Sequence, residues 1–90
     1  MHGINADSKK IIIRLKKIFG QLKGVEKMIL DDIYCIDIIT QTSAIKGAIS
    51  SLEDAMLESH LAHCLHKEMD KKKLKKMQDE IIKIYKLKRK

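Results

Sequence analysis

Proline and tryptophan are absent from this 90-residue chain, which holds one phenylalanine, two cysteines and four glycines. With so few helix breakers, and with isoleucine, leucine and lysine abundant, the composition is that of a helical chain with an aliphatic core. Two cysteines cannot build a disulfide framework. The longest uninterrupted apolar run, Ile33 to Ile36, falls far short of the roughly 20 residues that span a bilayer, so no membrane segment is expected. The opening stretch MHGINADSKK has neither an apolar h-region nor a cleavage-like site, and the chain is expected to be cytoplasmic with reduced thiols. Its length leaves room for one domain, residues 1–90, whose single core is marginally stable unless helices associate with partners. An all-α oligomer is therefore expected.

What is present in excess is positive charge. The 19 Lys and Arg against 12 Asp and Glu leave a formal net charge of +7. Residues 1–66 carry eight of each sign and residues 67–90 carry eleven basic against four acidic, so the whole excess lies in the last quarter. Such a chain attracts polyanions, nucleic acid first among them, although a lysine-rich helix face can equally serve solubility. Charge alone does not decide between them.

Three helical segments follow from periodicity. In the first, Ile11, Leu15, Ile18, Leu22, Val25 and Ile29 alternate spacings of four and three, with Asp7 or Ser8 placed to cap the start. The second repeats the pattern with Ile38, Thr42, Ile45, Ile49, Leu52 and Met56 and continues to about His66. Asp31 and Asp32 are expected to cap it and complement its dipole. A helix of some thirty residues is roughly 45 Å long, more than one short domain covers, and a dimeric bundle is expected to bury the remainder. The third segment, about Lys71 to Leu87, carries Leu74, Met77, Ile81 and Ile84 on one stripe, with Asp70 as its cap. Gly20, Gly24 and Gly47 interrupt helical pattern at about 1 kcal/mol each, which close helix approach or a kink would explain.

The chemistry concentrates in Cys35, His60 and Cys64. His60 and Cys64 lie at i and i+4, about 40° apart around a helix, so both can enter one coordination sphere. Cys35 is 29 residues before Cys64, about 43 Å along the same helix, and the two thiols cannot meet within one chain. Antiparallel pairing of two copies places the start of one helix beside the end of the other, giving two equivalent intersubunit sites. Two thiolates and one imidazole suit Cu(I), whereas zinc normally takes a fourth donor, which His63 could supply. Taken singly, each residue has a plainer role, a buried cysteine as a small hydrophobe or a histidine at the surface.

The stretches RLKKIFGQLKGVEKMI (Arg14 to Ile29), DDIYCIDIITQTSAIKGAI (Asp31 to Ile49) and SHLAHC (Ser59 to Cys64) resemble the copper-sensitive operon repressor family, CsoR/RcnR-like. The resemblance covers nearly the whole chain. It implies a three-helix protomer, antiparallel dimers pairing into a homotetramer, operator double-stranded DNA bound in the metal-free form, and release when the effector binds. It implies Cys35, His60 and Cys64 as Cu(I) ligands, with Tyr34 and Glu80 linking the site to the third helix. It further implies DNA contacts from basic residues of the first two helices, here Arg14 with Lys9, Lys10, Lys16, Lys17 and Lys46. Ser51 departs from the pattern, standing where some copper sensors carry a DNA-contacting arginine.

The family also holds nickel or cobalt, formaldehyde and persulfide sensors. Nickel members add an N-terminal histidine, and His2 lies one residue from that place, Gly3 occupying it. His60 speaks against the persulfide branch and the absence of proline against the formaldehyde branch. The expected function is thus a Cu(I)-responsive repressor of copper-resistance or efflux genes, with a nickel/cobalt- or persulfide-responsive repressor of the same family as the alternative and Cu(I) favoured over Ni(II) or Zn(II) as effector. Two other classes stand beside it: a thiol enzyme using Cys64 and His60, which lacks an oxyanion loop and a third orienting residue, and a cytosolic copper-binding protein without DNA binding. A non-enzyme is expected.

Overall fold

The computed structural model describes residues 7–65 and 70–89, with backbone alone for 63–65. It contains three helices, α1 (Ser8–Leu30), α2 (Cys35–Leu65) and α3 (Lys71–Lys88), and no strand among the described residues. None of these helices is long and apolar enough to cross a membrane. The chain divides into two compact units, Met1–His60 and Leu61–Lys90.

In the first unit α1 packs on α2. The buried core is Ile11 and Ile18 from α1 with Ile45 and Leu52 from α2, and Leu15, Val25, Ala48, Ala55 and Met56 pack around it. Each buried pair is seven residues apart, the interval that returns a side chain to the same side of a helix, so the expected seam forms. It closes over only part of its length: Leu22 and Ile29, which the spacing places on the same seam, remain exposed, Ile29 at 61%. The glycines do not mark close approach among the described residues. Both helices run unbroken through Gly20, Gly24 and Gly47, and a Cβ at any of them would meet none of the described residues within 4 Å.

The turn between the helices corrects one expectation. Asp31 and Asp32 do not cap α2; they end α1. Asp32 has φ of 56°, Ile33 N–H donates to the Met28 carbonyl at 3.0 Å and Asp32 N–H to that of Ile29 at 3.2 Å. This is a Schellman closure, in which a left-handed residue lets the last carbonyls find donors. Aspartate tolerates that conformation better than most residues, which is why the same acidic pair suits either helix end on paper. The start of α2 relies instead on the Tyr34 carbonyl, which accepts from the Asp37 and Ile38 N–H groups at 3.0 and 3.3 Å, and on Asp37 in the first turn. Asp7 occupies the position before α1 without a side-chain capping hydrogen bond.

In the second unit the Asp70 carboxylate accepts from Lys73 N–H at 2.8 Å, the expected cap of α3. Met77, Ile81 and Ile84 form a half-buried stripe while Leu74 stays exposed, and no residue of α3 is fully buried. At its end Arg89 N–H donates to the Tyr85 carbonyl, and the guanidinium sits 5.7 Å from the centre of the Tyr85 ring, within cation–π range.

Candidate functional site

Cys35 is the first residue of α2, and its thiol is free and exposed. The turn before it ends α1 and releases the chain into a new helix, so the thiol stands at an open helix terminus. Tyr34, one residue earlier, uses its carbonyl to hold the first turn of α2 while its side chain is 68% exposed. His60 lies on the same helix and is half-buried, next to Ser59, whose buried hydroxyl has no hydrogen-bond partner among the described residues. The backbone of α2 continues through Cys64, whose side chain, like that of His63, lies outside the described residues, as does His2. Glu80 lies on α3 with its side chain exposed.

Because α2 is a single helix of 31 residues, Cys35 and the His60–Cys64 pair stand near its opposite ends, roughly 40 Å apart at the standard rise. Among the described residues no group of three or more His, Cys, Asp or Glu gathers within the chain. The described donors near Cys35 therefore form no such group within its own chain. The chemistry of Cys35, His60 and Cys64 nevertheless fits a soft cation: two thiols and an imidazole, with Tyr34 and Asp37 the nearest oxygen-bearing side chains in sequence to Cys35.

The basic residues separate into three groups. Lys10, Arg14 and Lys17, at intervals of four and three, line one side of an open groove of about 570 Å³ between α1 and α2, together with Gln21 and, across it, Ala48 and Ser51. Ile18 forms part of the lining and also belongs to the core, which fixes the position of this part of α1. Lys9 and Lys16 are exposed but lie roughly 120° further round α1, at 100° per residue. Lys46 is exposed on α2 and is not part of the groove. Periodicity alone would have added Gln21 to the Lys10, Arg14 and Lys17 stripe. The opposing Ser51 required the packing of two helices to be found.

Residues 7–86 match the model of a family described as metal-sensitive transcriptional repressors. Over 64 residues the chain is 39% identical to the copper-sensing transcriptional repressor RicR of Mycobacterium tuberculosis, covering 71% of this chain and 67% of that one. It is 38% identical over 64 residues to the copper-sensing transcriptional repressor CsoR of Bacillus subtilis, covering 71% and 63%. To the CsoR of Mycobacterium bovis it is 33% identical over 61 residues, covering 68% and 51%. The chain thus spans between about half and two thirds of the length of these relatives. No solved structure matches it.

Proposed function

The chain belongs to the metal-sensitive transcriptional repressor family, and on that premise we propose that it is a Cu(I)-responsive repressor which binds operator DNA without metal and releases it when copper binds. The family is one of transcriptional regulators rather than enzymes, and the relatives above are named for copper sensing. The observation that carries the reading is the unbroken helix α2, with Cys35 as its first residue and His60 and Cys64 near its other end. Two such helices packed antiparallel put Cys35 of one protomer beside His60 and Cys64 of the other, twice per dimer. The sphere so formed has two sulfurs and one nitrogen, a set that suits Cu(I) without a fourth donor. Dimers then pair into tetramers, and both units of the chain act as one functional domain in the cytoplasm.

The groove lined by Lys10, Arg14 and Lys17 is the DNA-facing element of this proposal, with the outlying Lys9 and Lys16 adding to the field around it. Contacts of this type go to phosphates, so affinity falls steeply with salt and sequence preference comes partly from DNA shape. Tyr34 and Glu80 transmit the change at the metal to the rest of the protomer. Because metal and DNA act on one equilibrium, DNA must weaken copper binding by the factor by which copper weakens DNA binding. The ligand thiols lose protons on binding, so apparent copper affinity rises with pH until they are ionised.

Anaerobic titration of the reduced protein with Cu(I), Ni(II) and Zn(II), following thiolate absorption and operator release together, tests the proposal. Release by Cu(I) at two equivalents per dimer is expected. Release by Ni(II) or by a persulfide donor, with Cu(I) inert, would move the chain to another branch of the family. Copper binding without any effect on DNA would make it a copper-binding protein only.

A further inference from the structure

One side of α2 has a pattern beyond its three candidate ligands. Cys35, Ile39, Thr42 and Lys46 follow one another at intervals of four, three and four; read from the other end, Cys64, His60, Leu57 and Glu53 follow at the same intervals. All eight fall within a band roughly 60° wide on an ideal helix. The centre of the pattern lies between Ile49 and Ser50. This stripe is distinct from the core positions Ile45 and Leu52; on it Cys35, Ile39, Lys46 and Glu53 are exposed, Ile39 at 56%, while Thr42, Leu57 and His60 are half-buried.

A stripe with this mirror spacing is complementary to a second copy of itself run antiparallel. When Cys35 faces Cys64 of its partner, Ile39 faces His60, Thr42 faces Leu57, and Lys46 faces Glu53, each contact occurring twice about the two-fold axis. The charges carry the choice of occupant. Among the eight positions of the stripe, a basic and an acidic side chain meet in this register alone. A slip of one helical turn would set each opposite an uncharged neighbour on the stripe. We infer that Lys46 and Glu53 form two symmetry-related ion pairs across the α2–α2 contact and thereby set the register that brings Cys35 of one protomer opposite Cys64 of its partner. The inference rests on the antiparallel dimer proposed above and deepens it. It also gives Lys46 a task other than touching DNA, consistent with its lying outside the basic groove.

Charge reversal tests this directly. Lys46→Glu and Glu53→Lys each place two like-charged pairs in the homodimer, and each variant should self-associate at least about tenfold more weakly than the native chain by sedimentation. The doubly reversed variant should dimerise as the native chain does. Mixing the two single variants should produce heterodimers, since every pair is then complementary; this holds even if a single variant is poorly folded alone, because mixing should then restore helical circular dichroism. Native-like dimerisation of both single variants, or failure of the mixture to pair, overturns the inference. The outcome is read without metal or DNA, so it is separable from the functional proposal. A native chain that ignores Cu(I) while its charge variants pair as described would remove the copper reading and leave the ion pairs standing. The opposite result would remove the ion pairs alone.

Discussion

At the scale of single residues, a side chain's identity said less than its neighbours did. Six basic residues, Arg14 foremost, were expected to contact DNA; of these Lys10, Arg14 and Lys17 line one groove, and Ser51 faces them from α2. Arg14 sits at the middle of that stripe, and a guanidinium donates to phosphate oxygens in a fork that lysine lacks. Replacing Arg14 by alanine should weaken operator binding about uniformly across sequences and reduce the slope of log affinity against log salt by about 1. Cu(I) stoichiometry should stay unchanged. Fluorescence anisotropy across a salt series measures both. A substitution that leaves the salt slope intact would remove Arg14 from the phosphate contacts. Ser59 shows the converse case, a polar side chain whose hydroxyl is buried without a partner among the described residues, a state that generally costs stability.

At the scale of elements, helix ends proved harder to read than helix bodies. Asp70 was legible as a cap because it stands alone before a basic, periodic run, and it accepts from Lys73 N–H as expected. Asp31 and Asp32 were not, since an acidic pair between two helices serves equally as the end of one or the beginning of the next. The decision came from backbone geometry, with Asp32 in the left-handed region and the carbonyls of Met28 and Ile29 closed by Ile33 and Asp32. Glycine adopts that conformation without the Cβ penalty. Asp32→Gly should therefore stabilise the chain by about 0.5 to 1 kcal/mol in chemical denaturation. A loss of stability would mean that the carboxylate makes a contribution larger than the strain it brings. The ion pair of Lys27 with Asp31 at 3.5 Å joins two exposed side chains and adds little to either helix.

At the scale of the whole molecule, the length of α2 is the decisive quantity. A helix of 31 residues separates Cys35 from Cys64 by more than any side chain spans, so a site using both thiols has to be shared. This has a consequence that single-chain chelation does not. In a heterodimer of Cys35→Ser and Cys64→Ser protomers, one of the two intersubunit sites loses both thiols and the other keeps both. Neither variant alone should bind Cu(I) tightly, whereas an equimolar mixture, re-equilibrated, should recover about a quarter of the native capacity, half its dimers being mixed with one good site each. Competition against a chromophoric Cu(I) chelator reads the result. No recovery on mixing would place the copper elsewhere.

The sequence alone determined the helical class, through the scarcity of breakers and the alternating spacings of four and three, and it supplied the soft side chains that the proposed site draws on, because thiolate and imidazole are properties of residues and not of their arrangement. The mirror spacing along α2 was also written in it, and became meaningful once α2 was seen to run unbroken from Cys35 to Leu65 with Cys35, Ile39, Lys46 and Glu53 exposed on that side. Tertiary structure decided what depends on how one helix is rotated against another. It showed that the α1 seam closes at Ile11 and Ile18 but leaves Leu22 and Ile29 open, and that Lys10, Arg14 and Lys17 line a groove with Ser51. Periodicity gives the direction of a side chain about its own axis. Only packing supplies the second axis, and a groove needs both.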